Sequence, residues 1–487
     1  MIRITCNYSY QRVINGYPIK HWSGGELNKA RLPEGVSNGN DAYRYTSVTP
    51  RGRWYPWYVV SILTIASTLS YLDRQILALV IEPIKHDLKL SDFQISLLLG
   101  PAFVLFYATA GLPLGYLADR WSRSYLMATG VLLWSIATAA CGLARSFGQL
   151  FVGRVSVGFG EASLLPAAFS LLPDYFAPAQ LPRAFGILQT ASSLGAGIAF
   201  LIGGLLMVVI NKWNLILPGI GVIAPWQMLL LIAATPGLLI AILILKIPEV
   251  RRLHQQSAVT TPAKRSGFAG LAKRHILFFV GLMGAAAFVG VLVNAIVSWT
   301  PSYFVRNFGW KAADIGVTFG LITLIAGASG ALVAGYIAEL WTRHGVASAP
   351  IRLLLWQLGA ITLSATIYTL CSSPFWALVL LAGFSFCCGG TAAMLPTSLQ
   401  LGIPAMYRGR VYSIYLFALA LIGTAGGPVA VAVLTDFAFH NPQRLNSSIE
   451  VVVAITGPVA FAFAVSAYRQ FMRLSTGPEG HQIALPV

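Results

Sequence analysis

From residue 57 onward the chain alternates apolar runs of about 20 residues with short polar breaks. A helix rising about 1.5 Å per residue needs that length to cross a hydrocarbon core of about 30 Å. Twelve such runs are present, at 57–81, 93–117, 124–144, 148–172, 183–210, 226–246, 276–300, 313–338, 351–372, 374–399, 409–435 and 451–472. The longest break, 247–275, follows the sixth run and reads as a seam. The pattern predicts an all-α membrane protein with twelve transmembrane helices in two pseudo-symmetric six-helix halves, 55–246 and 276–473. A basic cytoplasmic linker, 247–275, joins them, and 474–487 forms a cytoplasmic tail. Residues 1–54 are polar, without periodicity and without the apolar core of a signal peptide, and are expected to be a disordered cytoplasmic segment.

Composition agrees, because 56% hydrophobic and 10% charged residues leave too few ionic side chains to solvate a soluble protein of 487 residues. The net charge of +17 does not indicate nucleic acid, since the Lys and Arg sit in loops rather than along one polar face. Fourteen of them occupy the even-to-odd loops between spans and seven the others, which by the positive-inside rule predicts both termini cytoplasmic in the plasma (inner) membrane. Cys6, Cys141, Cys371, Cys387 and Cys388 show neither a CxxC pair nor a disulfide framework, so they read as small packing residues. No phosphate-cradling GxxxxGK[ST] loop and no HExxH helix occurs. An enzyme is therefore not expected, nor a metal or cofactor, and the energy source would be a proton gradient. A channel is disfavoured because nothing resembles a repeated filter or a ring of charges.

An internal repeat marks the two halves. Gly115-Tyr116-Leu117-Ala118-Asp119-Arg120-Trp121-Ser122-Arg123 recurs as Gly335-Tyr336-Ile337-Ala338-Glu339-Leu340-Trp341-Thr342-Arg343, each copy after the second run of its half. Two bundles of this kind rocking about a central site make an alternating-access transporter. The first copy resembles the major facilitator loop signature G-x-L-[AS]-D-R-x-[GS]-R. Asp73-Arg74, Gly153-Arg154, Gly160-Glu161-Ala162, Asp174-Tyr175-Phe176 and Arg408-Gly409-Arg410 narrow the resemblance to the Spinster family over residues 55–475. That resemblance implies proton-linked export of lysophospholipids or sphingoid phosphates. Ser122 fills the [GS] position with Ser in place of the Gly of the superfamily signature, and the fifth run carries Gly195, Gly197, Gly203 and Gly204 without the Gly-Pro pair of drug antiporters. Two alternatives stay open: a proton symporter of small organic anions, and a non-transporting membrane sensor on the same fold. The expected partners are a small-molecule or lipid-like substrate and membrane lipids, with the chain working as a monomer.

Ionisable groups at membrane depth cost roughly 2.5–3.5 kcal/mol each, so an apolar bundle keeps them facing a cavity or a partner. Asp73, Arg74, Arg154 and Glu161 stand at such depth. Arg154 and Glu161, seven residues apart, share one helix face about 10 Å apart along the axis, with Arg154 at the level of Asp73. This predicts an Arg154–Asp73 pair, with Asp73 or Glu161 taking the coupling proton and Arg154 releasing it or receiving an anionic head group. Arg74, about 100° round the helix from Asp73, is placed with Arg154 on the substrate side, along with Asn294, Trp299 and Tyr303. Gly115, Asp119, Arg120 and Arg123 lie at the cytoplasmic edge and are expected to latch the inward gate, with Asp174 and Arg183 as partners. Gly423, Gly426 and Gly427 before Pro428 read, like the fifth-run glycines, as small faces that let helices approach closely.

Overall fold

The computed structural model describes residues 54–176, 180–210, 212, 215–217, 221–249, 276–346, 348–401 and 408–476. Almost all of the N-terminal segment, residues 250–275 of the linker and 477–487 of the tail lie outside the described residues.

The first half consists of α1 (Tyr55–Leu79), a short helix Ile81–Leu88, α2 (Asp92–Leu99, resuming as Pro101–Arg120), α3 (Arg123–Gly142), α4 (Phe147–Glu161, resuming as Leu164–Tyr175), α5 (Leu181–Ile210) and α6 (Pro225–Leu245). A small antiparallel hairpin, β1 (Leu215–Leu217) with β2 (Gly221–Ile223), joins α5 to α6 and pairs Ile216 with Val222. The second half consists of α7 (Ile276–Phe308), α8 (Ala312–Ile322 and Ala328–Arg343 about a π turn), α9 (Ala349–Leu370), α10 (Pro374–Leu401), α11 (Arg408–Ala418 and Ala425–Val433, with π turns Leu419–Thr424 and Leu434–Ala438) and α12 (Leu445–Thr476). Eleven helical stretches among the described residues are long and apolar enough to cross a membrane. α1 makes the twelfth at 25 residues, its apolarity diluted by Asp73, Arg74 and an aromatic start.

Local chemistry sets the boundaries. The hydroxyls of Ser91, Ser122 and Ser146 accept the first free N–H groups of α2, α3 and α4, and Pro101 and Pro225 stand where a helix start has no use for a donor. Ser122, where the signature carries Gly, is thereby the cap of α3. Two runs read as unbroken helices are interrupted. α4 breaks after Glu161 because Pro166 has no N–H and its ring collides with the carbonyl four residues back, that of Ala162. α2 breaks at Gly100, directly before Pro101.

The helix pairs that pack in the first half recur six helices later: α1 with α5, α2 with α4, α3 with α4 and α3 with α6 reappear as α7 with α11, α8 with α10, α9 with α10 and α9 with α12. Between halves, α5 meets α8 and α2 meets α11, which are again equivalent pairs. Gly195 and Gly203 let α5 approach α1, while a Cβ on Gly204 would fall 2.6 Å from the Val317 amide of α8, so one helix serves both seams.

Candidate functional site

α1 carries Ser70 and Arg74 one turn apart on one face and turns Asp73 about 100° away. Side chains lean toward the start of their helix, so Arg74 reaches back to the level of Glu161 on α4. Its Nε donates to Glu161 Oε2 at 2.8 Å and its Nη2 lies 2.8 Å from the same oxygen. The Ser70 hydroxyl donates to that oxygen at 2.6 Å, and Arg74 Nη2 also donates to Ser70 Oγ at 3.3 Å. The guanidinium lies 4.5 Å from the ring centres of both Phe103 and Tyr107 and 4.9 Å from that of Tyr71, close enough for cation–π attraction.

The expected Arg154–Asp73 ion pair does not form. Asp73 turns its carboxylate toward α3, where Thr138 Oγ1 donates to Oδ2 at 2.9 Å. Arg154 donates instead to the main-chain carbonyls of Asp73 and Leu98, each at 3.3 Å. Arg154 does come alongside Asp73, but the two side chains leave their helices in different directions. Arg74, expected on the substrate side, is the partner of Glu161. Asp73 and Arg154 are each 4% exposed and Glu161 1%, so water cannot complete their hydrogen bonding. Asp73 Oδ1, Glu161 Oε1 and Arg154 Nη2 are left buried without partners. A buried polar atom without a partner is costly, so these three atoms are where a proton or a ligand group would gain most.

The second half contributes less than expected. Trp299 and Tyr303 are 0% and 1% exposed and packed within that half. Trp299 Nε1 donates to the Pro428 carbonyl at 3.2 Å, and Tyr303 donates to that of Tyr368 at 3.4 Å. Asn294 returns its amide to the Gly290 carbonyl at 2.9 Å. Both aromatic donors are therefore spent on main-chain carbonyls inside that half rather than on an open surface.

At the signature edge Arg123 is buried and pairs with Asp174 at 2.6 Å, as expected, but Arg183 does not join them and stacks over Trp57 at 4.9 Å. The side chains of Asp119 and Arg120, and Gly115 beside them, lie outside the described residues. Sequence reasoning missed Glu249, which follows α6. It accepts from Arg123 Nε at 2.7 Å, the Arg123 amide at 2.9 Å and the Ser122 hydroxyl at 3.1 Å. Partial burial pushes the Glu249 carboxyl up, but the Arg123 hydrogen bond and charge, with Ser122 and the Ser124 amide, outweigh it and hold the group below the usual glutamate range. Arg123 thus ties the start of the linker to α3 and α4. In the repeat copy, Arg343 pairs with its own-helix neighbour Glu339, at an exposed site.

The opposite end of the bundle holds contacts between halves that loop assignments concealed. α7 continues to Phe308, so Arg306 projects from helix rather than loop. It grips Asp92 with Nη1 and Nη2 at 2.8 and 2.7 Å, Glu82 with Nε at 2.8 Å and the Pro442 carbonyl at 3.1 Å. Lys85 also bonds Asp92. Asp436 of α11 accepts the Phe93 amide at 2.7 Å in the first turn of α2, and Phe93 meets Phe437 edge-on at 5.5 Å. The Gly100 break lets the α2 backbone touch α11, where an added Cβ would fall 2.8 Å from Ala425 Cα.

Comparison with known proteins places this geometry. The family model described as Major Facilitator Superfamily matches residues 63–428. An MFS-type efflux pump of Mycolicibacterium smegmatis is 26% identical over 424 residues, covering 85% of this chain and 94% of the relative. The sphingosine-1-phosphate transporter SPNS2 of Xenopus tropicalis is 24% identical over 394 residues, covering 77% and 73%. The crystal structure of a bacterial homolog of the human lysosomal transporter Spinster, inward-facing and unoccupied, superposes with a TM-score of 0.74 at 26% identity, over 88% of this chain and 100% of that one. The chain therefore belongs to the major facilitator superfamily and is Spinster-like within it.

Proposed function

We propose that this protein is a proton-coupled secondary transporter of an amphiphilic, anionic, lipid-like substrate, working by alternating access in the plasma (inner) membrane as a monomer with both termini cytoplasmic. The observation that carries the reading is the cluster of Asp73, Glu161, Arg74 and Arg154, in which two acids and one guanidinium each keep a buried atom without a partner. Protonation of Glu161 would release Arg74, and an anionic head group would complete Arg154 Nη2. In this reading the Arg306–Asp92–Glu82 and Asp436–Phe93 contacts, which join the halves at one end, are the external gate in its closed form, and they support an inward-facing arrangement. Relatives named for Spinster and for sphingosine-1-phosphate transport support a lipid-like substrate.

The test is flux into proteoliposomes under an imposed pH gradient, comparing a labelled lysophospholipid with a small aromatic acid, for wild type and Glu161→Gln. Lipid flux in the wild type that stops responding to the gradient in the variant is expected. Flux of the acid alone would move the protein to the organic-anion symporters. Full coupling in Glu161→Gln would remove Glu161 as the proton site.

A further inference from the structure

Hydroxyls inside membrane helices ordinarily bond the carbonyl one turn back, and Thr64, Thr129 and Thr300 do so here at 2.8, 2.9 and 2.8 Å. Thr138 departs from that habit. Its single hydroxyl hydrogen crosses from α3 to the Asp73 carboxylate on α1. No other donor reaches that carboxylate among the described residues, since Oδ1 has no partner and Arg154 is turned to the main-chain carbonyl of the same residue. Resting on the coupling role given above to the buried acids, we propose that Thr138 is a positioning residue for Asp73, whose hydroxyl holds the carboxylate in place when it is ionised.

The chemistry needs no further group. With Asp73 ionised, the Thr138 O–H donates to Oδ2. When Asp73 takes a proton, its new O–H has Thr138 Oγ1 as an acceptor already within reach. The Asp73–Thr138 contact is thus available to the acid in either state, and the donation is made to the ionised one. The charged and titratable groups around the site are Arg74 on the same helix, Arg154 and Glu161 on α4 and Cys141 on α3. None of them hydrogen-bonds the Asp73 carboxylate: the arginines can only donate and are turned elsewhere, Glu161 is held by Ser70 and Arg74, and Cys141 faces the Leu150 carbonyl.

The experiment is infrared titration of the purified full-length protein in detergent, following the buried-carboxyl C=O band that disappears in Asp73→Asn. A hydrogen bond to a charged group is worth about one to two pH units of proton affinity, so Thr138→Val should move the midpoint of that band upward by about that much. Thr138→Ser, which keeps the hydroxyl, should restore it, and Thr138→Ala provides a second deletion should the valine variant fold poorly. A midpoint unmoved in both deletions, or moved equally in Thr138→Ser, overturns the proposal. A spectrum in which Asp73→Asn removes no titrating band overturns instead the reading on which it rests.

Discussion

Arg306→Ala isolates the proposed external gate. Its side chain is 5% exposed and Asp92 0%, and its hydrogen bonds join residues of one half to residues of the other. Removing one member of a buried ion pair costs about 3–5 kcal/mol because the remaining charge is stranded. Lys85 stays on Asp92 and Glu82 keeps a quarter of its surface in solvent, so the lower end applies. Only the arrangement closed at this end contains these bonds, so the whole loss falls on that state, and about 3 kcal/mol shifts the closed-to-open ratio by about 150-fold. The assay is the distance between spin labels at His86→Cys and Gln443→Cys, exposed positions on opposite sides of the gate, in a background with the five native cysteines replaced. A second, longer distance should dominate in Arg306→Ala, and Arg306→Lys should fall between, keeping the charge without the two-pronged grip. A distribution matching the wild type in the alanine variant would refute the argument, leaving Asp436 and the Gly100 contact as what holds the gate.

Gly100→Ala should also open this end without unfolding either half, because the added methyl falls 2.8 Å from the Ala425 Cα and carbonyl oxygen, backbone atoms that cannot give way; an unchanged label distance with an unchanged melting temperature would exclude that clash. At the other edge, Glu249 has its native proton affinity lowered, so its stabilisation is present above the ordinary glutamate value of 4.5 and is lost as pH falls through the native value. The melting temperature of the wild type should therefore exceed that of Glu249→Gln near neutrality, and the gap should close in acid. A gap independent of pH would mean that the carboxylate charge contributes nothing.

The helices were legible in the chain, as was the need of Asp73, Arg154 and Glu161 for burial among partners, because each depends on local sequence measured against a fixed thickness of hydrocarbon. A stretch of 20 apolar residues crosses the membrane whatever it packs against, and an ionised group within it must find a partner. Helical spacing also gave the levels of Asp73, Arg154 and Glu161. Which partner each charge finds is another matter. Arg74 meets Glu161 87 positions away, Thr138 meets Asp73 across 65, Arg123 meets Glu249 across 126 and Arg306 meets Asp92 across 214. Those pairings follow from how each helix is rotated about its axis, how its side chains lean, and where Gly100 and Pro166 interrupt it, and helix packing fixes all three. A carboxylate and a guanidinium at the same depth can still face different neighbours, as Asp73 and Arg154 do, because depth is set by position along one helix and contact by the orientation of two.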